Sequence, residues 1–241
     1  MTNVSNPEPR TQNPEHLPTH LGLILDGNRR WAKVNGLKTI DGHKKGAEVF
    51  KDVSIAAFES GIKYVSAYVF STENWSRKQE EVSLIMKLVV KGVELHLDEF
   101  HNKNIKIVIV GSTNNVPKSV TDAFSRTEQK TANNTGGVLA LCFNYGGKLE
   151  IIDAVKQIVQ SGISPSEVTQ EVLNSYLYRP EIPPLDLLIR TSGEKRTSGF
   201  MLWRAEYAEL LFLDKMWPDF TVTDLADALS EYSNRQRRFG K

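Results

Sequence analysis

His20-Leu21-Gly22-Leu23-Ile24-Leu25-Asp26-Gly27-Asn28-Arg29-Arg30-Trp31 decides the reading of the fold. Uncharged, mostly aliphatic residues from Leu21 to Leu25 stand between Pro18 and an abrupt Asp-Gly-Asn. A run this short and without alternation is that of a strand buried on both faces, as in a parallel sheet. The polar residues after it then lie just beyond the strand's carboxyl end, where open α/β sheets bind ligands. Asp26 offers carboxylate oxygens to a cation such as Mg²⁺. Gly27 lets the backbone come close to a ligand, and the following helix turns its N–H groups toward an anion. Arg29 and Arg30 add charge for phosphate oxygens. The same residues also fit an Asp-Gly turn with a helix cap and two solvated arginines, and this stretch alone does not separate the two.

Outward from this strand the chain alternates. A helix over about 29–36 is followed by Gly42-His43-Lys44-Lys45-Gly46, which leads into a helix ending near 60. Residues 62–70 read as a second strand that ends in the polar Ser71-Thr72-Glu73-Asn74-Trp75-Ser76-Arg77. Further strands are expected over 105–110, 138–143 and 185–189, with a last one among 200–203 and 210–213. Helices are expected over 82–102, 117–133, 149–161, from 164 to before 180, and 223–238. Alternation of this kind predicts a single α/β domain with a mostly parallel central sheet flanked by helices. The helix at 82–102 carries more apolar residues (Val82, Leu84, Ile85, Met86, Leu88, Val89, Val90, Val93, Leu95, Leu97) than the one stripe a sheet-packed helix needs. The excess must meet a partner chain, a second layer of core, or an apolar ligand.

Composition narrows the classes. In 241 residues the apolar share is 40% and the charged share 24%, ordinary for a globular domain. A net charge of +1 supplies no global field to recruit nucleic acid. The single cysteine, Cys142, excludes an intrachain disulfide and argues against a cysteine zinc site, which fits a reducing, cytoplasmic compartment. Residues 1–18 are Asn-, Pro-, Glu- and Thr-rich, unlike a signal peptide, and read as a disordered tail before a domain at 19–241. No G-x-x-x-x-G-K-[ST] phosphate loop is present.

Three strand ends carry polar clusters, and in a parallel sheet they share one edge. Arg29, Arg30, Arg77, Arg190 and Arg196 would gather there around Asp26, Glu73, Glu194 and Glu209. That surplus of guanidinium suggests phosphate groups with a bridging metal rather than a structural ion-pair network, the plainer alternative. Val69 and Phe143 at strand ends, with the over-apolar helix, suggest an apolar cleft beneath the charged mouth. Such a site suits a diphosphate head carrying a hydrocarbon tail.

Asp26-Gly27-Asn28-Arg29-Arg30-Trp31-Ala32, Gly42-His43, Phe70-Ser71-Thr72-Glu73-Asn74-Trp75-Ser76-Arg77, Asn144-Tyr145-Gly146-Gly147 and Ile189-Arg190-Thr191-Ser192-Gly193-Glu194-Lys195-Arg196 occur in this order. Together they resemble the cis-prenyltransferase family, the bacterial undecaprenyl diphosphate synthases in particular. The Asp-Asp-x-x-Asp motif of trans-prenyltransferases is absent from the sequence. The resemblance implies an α/β domain with an apolar tunnel and a Mg²⁺-dependent transferase of alkyl groups other than methyl. It would condense isopentenyl diphosphate with an allylic diphosphate, farnesyl diphosphate above all, to make undecaprenyl diphosphate for cell-wall lipid carriers. A short- or medium-chain product is the alternative. A non-catalytic subunit of a heteromeric synthase is a further one, against which Asp26, Arg190 and Arg196 speak.

By the same resemblance Asp26 positions Mg²⁺ and Glu209 is a second metal-side acid. Gly27, Asn28, Arg29, Arg30 and His43 bind the allylic diphosphate, with Trp31, Arg77 and the block Ser71, Thr72, Glu73, Trp75 at the substrates. Arg190, Arg196, Thr197 and Ser198 hold isopentenyl diphosphate. Asn74 matches a residue often assigned to proton removal, although a neutral amide is a poor base. Arg238 and Gly240 belong to an element that reaches across a homodimer, and product release implies peripheral contact with the inner face of a membrane. Departures from the family pattern are Thr39 in place of arginine, Gly199 in place of asparagine and Arg204 in place of glutamine. Val69 and Phe143 are bulkier than the alanines common near the tunnel; a narrower tunnel would end elongation early, so the resemblance leaves product length open.

Overall fold

The computed structural model describes residues 17–235. Its strands are β1 (His20–Ile24), β2 (Tyr64–Ser71), β3 (Ile105–Val110), β4 (Gly137–Tyr145), β5 (Leu187–Arg190) and β6 (Glu209–Phe212). They form a parallel sheet in the order β3-β4-β2-β1-β5-β6. The helices are α1 (Asn28–Val34), α2 (Thr39–Glu59), α3 (Gln79–Asn102), α4 (Lys118–Thr131), α5 (Gly147–Ser161), α6 (Gln170–Tyr176) and α7 (Val222–Ser233). β1 lies between β2 and β5 and is buried along its whole length, as its unbroken apolar run requires. Ile24 is level with Arg190 and Leu23 with Ala67, so the ends of β1, β2 and β5 meet on one edge.

Alternate strand residues feed two cores. Leu21, Leu23, Leu139 and Leu187 pack beneath α2 and α7. Ile24, Ala140, Cys142 and Leu188 pack on the opposite face with Phe200 and Met201. α3 explains its own excess of apolar residues. Val82, Ile85, Met86 and Phe100 are buried at its two ends, while Leu88, Val89, Val90, Val93 and Leu97 between them are only half-buried. Leu88, Val89 and Val93 of the middle line an open space, while Val90 and Leu97 pack against the cores.

Several local expectations change. Gly42 and His43 lie inside α2, which begins at Thr39. The segment after β2 is a single 3₁₀ turn, Thr72–Ser76, closed by a capping box between Ser71 and Asn74. Ser164-Pro165 opens only a short turn before Thr169 caps α6, and residues 200–203 form no strand. Leu17 packs on the core and Pro18 is buried, so the chain is already ordered there. Phe143 is buried, stacked on Phe70 (5.2 Å between centroids) and edge-on to Phe124 (5.1 Å), which makes it core and not a tunnel wall.

Arg204 finds its reason in a buried network. Its Nη1 donates to Glu150 Oε1 (2.7 Å), its Nη2 to Tyr178 O (2.7 Å) and its Nε to Ile182 O (3.3 Å). Glu150 also accepts from the Tyr145 hydroxyl (2.5 Å) and the Tyr178 N–H (3.1 Å).

His20, fully buried in β1, lies 2.8 Å from Pro183 O and 2.7 Å from Ser66 Oγ through its two ring nitrogens. Burial lowers its pKa from 6.5 to about 4, so it is neutral in the folded state. Between those values the unfolded chain binds a proton that the folded one does not. This contribution to stability is complete above pH 6.5 and shrinks as pH falls toward 4. Chemical denaturation at pH 7.5 and pH 5 should show a loss of about 2 kcal/mol from His20 alone. A His20→Asn variant should be less stable at pH 7.5 but less sensitive to acid. Equal acid sensitivity of the two proteins would remove His20 from this role.

Candidate active site

The polypeptide turns sharply as it leaves β1. Gly27 adopts φ 110°, and a Cβ there would stand 2.9 Å from Ser192 Oγ and 3.0 Å from Met216 Cβ. Only glycine meets both demands. The turn is pinned through Asp26 O, which accepts from Thr191 Oγ1 (2.7 Å) and Trp217 N (3.0 Å). The Asp26 carboxylate thereby faces two guanidinium groups, Arg190 Nη2 at 2.9 Å and Arg30 Nη2 at 3.5 Å. Arg190 is buried and held in place by donating through Nη1 to Arg196 O (2.6 Å) and Ser198 Oγ (2.9 Å).

Two further carboxylates gather the remaining cations. Glu81, in the first turn of α3, lies 3.3 Å from Arg77, 3.7 Å from Arg29 and 3.8 Å from His43 Nε2. Glu194 pairs with Arg196 and lies 3.6 Å from Arg30. Sequence reasoning missed Glu81; its signal was the i,i+4 spacing from Arg77 at the head of a helix. Burial, reinforced by the Arg77 charge, lowers the His43 pKa to about 4, so it is neutral at pH 7. An arriving polyanion would favour its protonation.

Buried polar side-chain atoms without a hydrogen-bond partner are rare in folded proteins. Among the described residues, four of six such atoms belong to this cluster: Asn28 Oδ1, His43 Nε2, Arg190 Nε and Ser192 Oγ. Below the mouth a cavity of about 620 Å³ runs between α2, α3 and the sheet. Asp26, Asn28, His43, Asn74, Arg77, Arg190 and Ser198 ring its upper end, Phe50, Val69, Val89 and Leu141 line its walls, and Phe100, Ile107 and Leu139 lie at its lower end. Its size is that of a pocket for an elongated small molecule.

Among the described residues no group of three or more His, Cys, Asp and Glu side chains is arranged around a common metal position. The donor set therefore fits Mg²⁺ only in one form. Asp26 would supply one carboxylate, and the oxygens of a bound anion and water would supply the rest, which is how this ion is usually held.

The other expected site residues divide between the cavity and its surroundings. Ser71 and Glu73 line the upper cavity with Asn74, whose Oδ1 accepts from Ser71 N (3.1 Å). Trp75 donates to Asn144 Oδ1 (2.7 Å) and packs edge-on against Phe70, away from the cavity lining. The Trp31 indole donates to Asp219 (2.7 Å). Thr72 packs against Gly146, and Thr197 O accepts from Phe200 N (3.0 Å) in the loop that carries Ser198. Glu209 is not brought to Asp26 within one chain. It is level with Leu187, whereas Phe212 is level with Arg190, which leaves Glu209 about 10 Å from that sheet edge. Its carboxylate accepts from Arg235 (2.9 Å). Arg238 and Gly240 lie outside the described residues.

A family model described as a putative undecaprenyl diphosphate synthase matches residues 24–240. Isoprenyl transferase 2 of Corynebacterium glutamicum is 43% identical over 230 residues, covering 94% of this chain and 95% of its own length. An isoprenyl transferase of Thermotoga maritima is 43% identical over 226 residues, covering 93% and 97%. Among solved structures, lavandulyl diphosphate synthase from Lavandula x intermedia in complex with dimethylallyl diphosphate matches with a TM-score of 0.91 at 31% identity, covering 94% of this chain and all of its own. A probable undecaprenyl diphosphate synthase from Campylobacter jejuni matches with a TM-score of 0.79 at 28% identity, covering 93% and 99%.

Proposed function

Since the chain belongs to the undecaprenyl diphosphate synthase family of prenyltransferases, we propose that it joins isopentenyl diphosphate to an allylic diphosphate such as farnesyl diphosphate, adding cis isoprene units to a tail that grows into the cavity. One observation carries this reading: a mouth with more guanidinium than carboxylate and orphaned buried polar atoms opens onto an apolar cavity. A diphosphate bearing a hydrocarbon matches both halves.

In this reading Asn28, Arg29, Arg30, His43 and Arg77 hold the allylic head group, and Arg190, Arg196 and Ser198 hold isopentenyl diphosphate. Mg²⁺ at Asp26 would neutralise charge on the departing diphosphate. The arginines stabilise the same charge as the allylic C–O bond breaks, with the electron pair leaving on oxygen. The isopentenyl double bond then attacks the allylic carbon, and a proton is lost from the isopentenyl unit to form the new cis double bond. Asn74 better serves orientation than proton removal, since its carbonyl oxygen already accepts from Ser71 N.

A long-chain product for cell-wall lipid carriers is the first reading of chain length. Val69 in the cavity wall favours the shorter alternative. Mass analysis of products from isopentenyl diphosphate with dimethylallyl, geranyl or farnesyl diphosphate tests the activity and the length together. Chelation should abolish turnover and added Mg²⁺ restore it. No elongation with any primer would overturn the proposal.

The active form is proposed to be a homodimer. Ile152, Val155 and Val159 form an exposed apolar stripe on α5, with Leu202 and Leu210 also exposed. Arg235 ties the start of the terminal segment to Glu209 on edge strand β6. A second copy against this side would allow Glu209 and the terminal segment to serve the neighbour's site. Removing residues 237–241 should then lower turnover at least tenfold, the scale of one lost charge-assisted phosphate contact, with little change in melting temperature. Sedimentation should give a dimer, and full activity of the truncated protein would defeat the trans-acting segment. No described helix is long and apolar enough to cross a membrane. A cytoplasmic protein touching the membrane to release its product is the proposed location.

A further inference from the structure

α3 lines the cavity with a stripe that includes Ile85, Leu88, Gly92, His96 and Phe100, spaced by three or four residues. Gly92 is therefore in the middle of the stripe and in the middle of a helix spanning Gln79–Asn102. Glycine is the poorest helix former after proline, so its use there calls for a reason. The two usual reasons are absent. Gly92 is not among the residues with positive φ, and a Cβ on it would meet nothing within 4 Å. Gly42 and Gly46 of α2 differ in this respect, since a Cβ on either would come within 2.1 Å of Asn28. The chain's own packing thus leaves position 92 free to carry a side chain, and the open space beside it is the cavity.

We propose that Gly92 is a specificity-determining position: the side chain it lacks is the room taken by later isoprene units of the tail, so bulk at 92 sets a shorter product. This rests on the prenyl-elongating function proposed above. Gly92 lies about 10 Å along α3 from Ile85, away from the reacting carbon and past the first units of the tail. Nearby, α2 and α3 meet where Glu48 lies 3.6 Å from His96 Nε2 and Lys51 pairs with Glu99 (3.6 Å).

Gly92→Ala and Gly92→Leu separate this role from ordinary helix stability, because alanine favours the helix while it fills the cavity. Melting temperature and product lengths are measured on the same preparations. Gly92→Ala should melt higher than the parent and shift its products toward shorter chains. In Gly92→Leu the longest parental products should fall on the order of tenfold, the scale at which an overfilled wall is felt. Calorimetric binding gives a second readout that needs no turnover. Affinity for geranylgeranyl diphosphate should drop in Gly92→Leu, while affinity for dimethylallyl diphosphate stays the same. Folded variants with parental lengths and parental affinity for both ligands would overturn the inference. A parent protein that binds both diphosphates but condenses neither would instead overturn the proposed function and leave the binding comparison to judge Gly92.

Discussion

Asp26→Asn is expected to slow condensation by on the order of 10³-fold, with a melting temperature close to that of the parent. Losing one preorganised electrostatic contact to a reacting group costs about 10²–10³ in rate. In its proposed place beside Mg²⁺, loss of the carboxylate would add to that figure. Stability should survive because the amide oxygen can still accept from Arg190 Nη2, and Arg190 keeps its bonds to Arg196 O and Ser198 Oγ. Asp26→Ala is a harsher test, since it takes away the carboxylate that faces a buried guanidinium. Steady-state rates with farnesyl and isopentenyl diphosphates, at several Mg²⁺ concentrations, read the effect. An asparagine variant with near-parental turnover would reduce Asp26 to a structural counter-ion for Arg30 and Arg190.

Glu150→Leu is expected to destabilise the fold by about 3–5 kcal/mol, the cost of leaving one member of a buried ion pair alone. Arg204 would lose its carboxylate, and the Tyr145 hydroxyl and Tyr178 N–H would lose their acceptor. Arg204→Gln should cost a comparable amount, because Glu150 stays buried without its cation. The double variant Glu150→Leu/Arg204→Met should recover much of the loss, as apolar replacement of both partners often does. Urea unfolding of these variants and the parent reads the losses, and Arg204→Met alone closes the cycle with Glu150→Leu and the double variant. Single variants that lose less than about 1 kcal/mol would show that water reaches the pair and screens it.

The class of fold and the family could be read from the chain because both depend on local pattern. An uncharged run at 21–25, too short for a helix and bounded by Pro18 and Asp26-Gly27, reads as a strand and its end from its own length and flanks. The motif blocks that follow are each contiguous, so they survive without knowledge of distance. That the ends of β1, β2 and β5 share an edge also follows, since all strands of a parallel sheet point the same way.

What escaped the sequence depends on contacts between distant residues. Phe143 and Val69 have the same apolar character at strand ends, yet Phe143 packs between Phe70 and Phe124 while Val69 lines the cavity. Trp75 sits in a motif with cavity-lining Asn74, yet its indole is engaged by Asn144, far along the chain. Glu209 is a carboxylate like Asp26, and only the register of β6 on β5 shows it at the other end of its strand. Glu81 looked like one of several acids at a helix start until Arg29, His43 and Arg77 closed around it. The sequence by itself determined the strands, their direction and the edge that carries charge, because hydrophobic period and abrupt polarity are properties of neighbours in the chain. Tertiary structure alone decided which side chains line the cavity, because that depends on helix rotation and strand register set by the packing of the whole core.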